Sequence, residues 1–139
     1  MTVNQIERSN YFRGLLFLIG NDGKIQSDKK EILDALASVL GFNQDYVEQE
    51  LNDFIGNLYI AETPPKFSNH ILAETFLKDG IRIAFEDKAL HISELKWLVT
   101  FSAENYLSKQ WFFVELENFL DNYDSYSTSS FEIQKYLQA

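Results

Sequence analysis

Sliding the 139-residue sequence along itself by 65 positions brings apolar residues onto apolar residues without a gap. Ile6 falls on Ile71, Leu18 on Ile83, Ile25 on Leu90, Ile32 on Trp97, Leu33 on Leu98 and Leu36 on Phe101. The match continues with Phe42 on Leu107, Tyr46 on Trp111, Val47 on Phe112, Glu50 on Glu115, Leu51 on Leu116, Phe54 on Phe119 and Ile55 on Leu120. Two amphipathic stretches match in part by sharing a 3.6-residue period. Keeping register across two interhelical connections asks for more, and the halves read as copies of one three-helix unit. Such a unit has difficulty closing a core alone, so the expectation is one domain over residues 1–139 in which the copies pack about a pseudo-twofold axis.

Each copy is helical by pattern. Ile6, Phe12, Leu15, Leu16, Leu18 and Ile19 crowd the first segment beyond a single stripe, which predicts a helix covered on several sides and ending at Asp22-Gly23. Ser27 then caps a second helix carrying Ile32, Leu33, Leu36, Ala37 and Leu40, which stops at Gly41. Asn43 caps a third with Val47, Leu51, Phe54, Ile55 and Leu58 inward, while Asp45, Glu48, Glu50 and Asp53 read as its solvated face. Pro64-Pro65 ends this copy, about 4–60.

The second copy, about 68–122, starts with Ser68 as a cap and runs helically to about Asp87. It continues with helices through Leu95, Trp97, Leu98, Phe101 and Tyr106, and through Trp111, Phe112, Leu116, Phe119 and Leu120. The polar run DNYDSYSTSS leads to a closing helix at about 129–138. Gly and Pro are scarce and no segment alternates long enough to demand a strand, so the fold class expected is all-α, a bundle of six to seven helices.

Charge and composition narrow the function. Twelve Lys and Arg against 21 Asp and Glu give a formal net charge of -9, which repels nucleic acid and anionic lipid. The first residues, MTVNQIERSNYF, are polar where a secretory leader needs its apolar segment, and LLFLI is too short to span a bilayer, so a cytoplasmic protein is expected. There is no cysteine and hence no thiolate chemistry. His70 lacks a Ser or Asp partner in the pattern, the glycines are scattered singly, and no catalytic motif emerges.

The stretch GNDGKIQSDK suggests a calcium loop. With Gly23 sixth, however, Leu18 stands first, Gly20 third and Lys29 twelfth, leaving Asp22 as the one side-chain oxygen; the second copy supplies Asp87 and Glu94. The loop is rejected. Asp22 and Asp87 read as carboxylates that hold a turn, and Glu94 as the third residue of a capping box reaching back toward His91. Trp97, Phe101, Trp111 and Phe112 read as core; Phe113 follows Phe112 directly, faces elsewhere, and marks a partner-contact surface.

These residues resemble the tellurite-resistance TerB-like family, an all-helical fold also found as the N-terminal domain of membrane-anchored DnaJ-type co-chaperones. The resemblance lies in LIGNDGKIQSDKKEILDAL and IAFEDKALHISELKWL, within residues 10–120: an apolar helix, Asp-Gly-x-aliphatic, three residues, Glu, then an amphipathic helix. It implies a non-enzymatic module in stress response or protein interaction. As the alternative, it implies a divalent-cation protein using Asp22, Asp87 and Glu94, with Asp79 a looser match. The chain departs from the pattern at Lys29, where Glu is expected, and at Lys88, where Gly is expected.

Overall fold

In a computed structural model of the chain, the residues described are 2–20, 27–56, 64–85, 91–122 and 130–137. They contain six α-helices, one 3-10 helix and no strand. The helices are α1 (Gln5–Ile19), α2 (Ser27–Leu40), α3 (Gln44–Gly56), α4 (His70–Ala84), α5 (Ile92–Glu104) and α6 (Lys109–Asp121), with the 3-10 helix at Glu132–Tyr136. No described helix is long and apolar enough to cross a membrane. The chain divides into two compact units, Met1–Pro65 and Lys66–Ala139.

In the first unit α1 buries Tyr11, Phe12, Gly14, Leu15, Leu16, Leu18 and Ile19, the all-round burial its crowded sequence predicts. Leu33, Leu36, Ala37 and Leu40 of α2 and Val47 and Phe54 of α3 are buried as well. Fully burying a side chain of this size stabilises by roughly 1.5–3 kcal/mol. The α1/α3 contact is aromatic and polar together. Phe12 meets Tyr46 edge-on at 5.5 Å, and Tyr46 stacks on Phe42 at 3.9 Å and shares a 2.7 Å hydrogen bond with Ser9. Arg13 donates from Nε and Nη2 to the two oxygens of Glu50, each at 2.9 Å. Glu50 is therefore buried, a correction to the solvated face expected for it. Ile6, expected among the core residues, is 72% exposed in the first turn of its helix.

The second unit is built on α4, against which α5, α6 and the 3-10 helix pack. Phe76 and Phe101 lie 4.4 Å apart, Trp97 stacks on Phe101 at 6.2 Å, and Phe67 adds a third ring to Phe76 and Phe101. Phe112 is fully buried, and Phe119 meets Phe85 edge-on at 5.9 Å.

Helix ends explain the differences from the expected boundaries. The first helix stops at Ile19, where the Gly20 amide bonds Leu16 O, short of the expected end at Asp22-Gly23, which lies outside the described residues. The fourth begins at His70 because Asn69, not Ser68, caps it: Asn69 Oδ1 accepts from the amides of Ile71 and Leu72 at 2.8 and 3.2 Å. It ends at Ala84 rather than at Asp87, which lies outside the described residues. Asn43 does cap α3, accepting from the Tyr46 amide at 2.9 Å. The closing element is a single 3-10 helix, shorter than the expected one over 129–138.

The 65-residue interval recurs in backbone detail. Asn4 and Asn69 cap α1 and α4, and α3 and α6 begin and end 65 residues apart. At the end of α2 the amides of Gly41 and Phe42 bond Ser38 O and Ala37 O; at the end of α5 those of Tyr106 and Leu107 bond Ala103 O and Ser102 O. Both are the paired closure that satisfies the last helical carbonyls through a left-handed residue.

Candidate functional site

The candidate ligand set begins with two residues, Asp22 and Asp87, that lie outside the described residues. Glu94 and Asp79 are both described, and both carboxylates face backbone amides.

Glu94 is the third residue of α5 and only 4% exposed. Its Oε1 accepts from the His91 amide at 3.3 Å, so the side chain reaches back over the helix start. An acid in this place satisfies one of the free amides of the first turn and sits at the positive end of the helix. His91 itself is exposed at the cap position.

Asp79 is wholly buried on α4. Its Oδ1 accepts from the Glu132 amide at 2.7 Å and its Oδ2 from the Ile133 amide at 3.2 Å. One carboxylate thus holds the start of the 3-10 helix, 53 residues further along the chain, while Phe131 and Ile133 bury their side chains beside it. A buried carboxylate is costly unless hydrogen-bonded, and these amides meet that need. The sequence offered Asp79 as a loose ligand match and gave no signal of this clasp. Among the described residues, no three His, Asp or Glu side chains gather as a metal site would require.

Phe113 is 42% exposed on α6, and Val114 and Leu120 on the same helix are similarly open. Phe112, its neighbour, is buried with the two rings edge to face at 5.1 Å. Trp97 and Phe101 are buried core residues, and Trp111 is half-buried. His70, in the first turn of α4, is exposed, with Nε2 4.0 Å from the Glu74 carboxylate, an arrangement of a solvated helix start.

A shallow cleft of about 90 Å³ opens in the second unit between α4, α6 and the 3-10 helix, lined by Lys78, Ile81, Arg82, Glu115, Phe119 and Glu132. Sequence reasoning missed it. Its signal was the alignment of Arg13 with Lys78 and of Glu50 with Glu115 at the 65-residue interval.

No family model matches the chain, and no curated protein or solved structure matches it either.

Proposed function

We propose that this chain is a duplicated, TerB-like helical module without enzymatic activity, acting through contact with a protein partner in a stress-response or accessory role. Its contact surface is the outward face of α6 around Phe113. The observation that carries this reading is the exposure of Phe113, Val114 and Leu120 on one helix, large apolar side chains that a solvated face has no use for. The engagement of Glu94 and Asp79 with backbone amides supports a structural role for the acids that the family resemblance associates with metal. The matching caps and closures 65 residues apart support a duplicated three-helix unit.

Two measurements test it. Calorimetric titration with calcium, magnesium, manganese and zinc is expected to give no heat and no rise in melting temperature; saturable binding of any of them would favour the divalent-cation reading instead. Phe113→Asp is expected to abolish recovery of the partner taken by the unaltered chain while leaving the thermal melt in place. Retention of that partner by Phe113→Asp would remove the α6 surface from the proposal.

A further inference from the structure

The cleft of the second unit has a counterpart in the first that is bridged by an ion pair. Sixty-five residues before Lys78, Glu115, Arg82 and Phe119 stand Arg13, Glu50, Phe17 and Phe54. Arg13 and Glu50 join in a two-pronged ion pair, and Phe17 packs edge-on against Phe54 at 6.0 Å. The second unit has lysine in place of the arginine and arginine in place of the phenylalanine. Among the described residues neither Lys78 nor Glu115 has an ion-pair partner, and Arg82 lies over the Phe131 ring at 5.9 Å. Glu132, the remaining acid of the lining, is taken by Lys135 at 2.7 Å.

Two cations four residues apart on one helix repel each other. Neither is paired with a carboxylate among the described residues, so both are open to an anion from solution. An oxyanion placed between them relieves the repulsion and gains charge-assisted hydrogen bonds. Glu115, across the cleft on α6, then stands free to accept from an ammonium. Ile81 and Phe119 supply apolar walls. At about 90 Å³ the cleft is smaller than a cavity of about 150 Å³ that takes benzene, which favours a ligand of a few heavy atoms.

We propose that this cleft binds a small zwitterion of the α-amino acid class, its carboxylate on Lys78 and Arg82 and its ammonium on Glu115. The site is independent of the α6 surface around Phe113. Because Glu132 forms part of its wall and Asp79 holds the Glu132 amide, occupancy stabilises the docked 3-10 helix.

The test is a titration of the full chain with glycine, followed by amide nuclear magnetic resonance, with acetate and methylammonium as probes of each end alone. Glycine is expected to give saturable shifts at amides of α4, α6 and the 3-10 helix at millimolar concentration. Acetate and methylammonium are each expected to bind about tenfold more weakly or less, given the strength of charge-assisted hydrogen bonds. Glu115→Gln is expected to weaken glycine by about the same factor without altering acetate, and Lys78→Gln to weaken both. Lys96→Gln, on exposed α5 surface, is expected to alter neither. Absence of saturable shifts with glycine would overturn the site. Acetate binding as tightly as glycine, or a Glu115→Gln variant unchanged toward glycine, would overturn the zwitterion assignment.

Discussion

Gly41 and Tyr106, 65 residues apart, close α2 and α5 through the same left-handed backbone, with φ of 89° and 59°. Glycine adopts that conformation without steric cost, whereas an L-residue loses roughly 1–2 kcal/mol to the approach of Cβ and carbonyl. Tyr106 is 89% exposed, so its ring contributes little burial in return. Tyr106→Gly is expected to stabilise the protein by about 0.5–1 kcal/mol, the conformational gain less the greater freedom of glycine in the unfolded chain.

The converse change at Gly41 is expected to destabilise. A Cβ there meets Arg8 Nη1 at 3.5 Å, ordinary contact, so the cost of Gly41→Ala is set by the backbone and is about 1 kcal/mol or more. Urea unfolding of the two variants checks the pair; equal shifts of the same sign would contradict it.

The clasp of Asp79 on the 3-10 helix gives a second expectation. Asp79→Asn presents one oxygen and one amino group to two backbone amides, so one amide loses its acceptor inside the protein. The expected loss is roughly 1–3 kcal/mol, and Asp79→Ala is expected to lose more because both amides are orphaned. Hydrogen exchange at Glu132 and Ile133 should accelerate in both variants before the rest of the second unit does. Unchanged protection at those two amides would remove the clasp from the account.

Tyr46 gives a pH dependence. Its phenol is held above the ordinary tyrosine range, chiefly because burial disfavours the phenolate, with the nearby Glu50 charge adding to the effect and the Ser9 hydrogen bond opposing it. Between the unfolded value near 10 and the higher folded value, the folded state holds the proton and the unfolded state releases it. The contribution is fully present below pH about 10 and falls away as pH rises through the folded pKa. Unfolding midpoints measured between neutral and alkaline pH are expected to fall more steeply in the unaltered protein than in Tyr46→Phe. Parallel profiles would show that Tyr46 titrates alike in both states. Tyr46→Phe also loses the bond to Ser9, an offset of about 1 kcal/mol at neutral pH.

The pattern of apolar residues made the helices legible because a 3.6-residue period runs through segments such as α2, α3 and α4 and an unbroken apolar crowding through α1, and Asn43 declared its cap by residue type and position. What it hid were relationships with distant partners. Glu50 has the same chemistry and helix as Asp45, Glu48 and Asp53, and only Arg13, 37 residues away, separates it from them. Asp79 read as one acid among many because its partners are backbone amides, which have no sequence signature. Ile6 looked like core by count, since periodicity reports an apolar side chain and not what covers it. Ser68 and Asn69 are both good caps, and the choice between them is made by where the backbone turns into α4. Of the acids proposed as ligands, Glu94 was legible as a cap from its third-position spacing alone.

That spacing gives the expectation most relevant to function. Glu94 Oε1 accepts from the His91 amide, a task the side-chain oxygen of glutamine also performs. Glu94→Gln is therefore expected to keep most of the stability, losing a few tenths of a kcal/mol from the interaction of charge with the helix end. Glu94→Ala leaves the amide without this acceptor and is expected to lose about 1 kcal/mol. A cation site would rank the two differently, because the neutral amide is a poor replacement for a carboxylate ligand and both variants would then lose ion-dependent stabilisation together. Thermal melts of the two variants, each with and without excess divalent ion, distinguish these roles: the cap predicts a difference between Gln and Ala that the ion leaves unchanged.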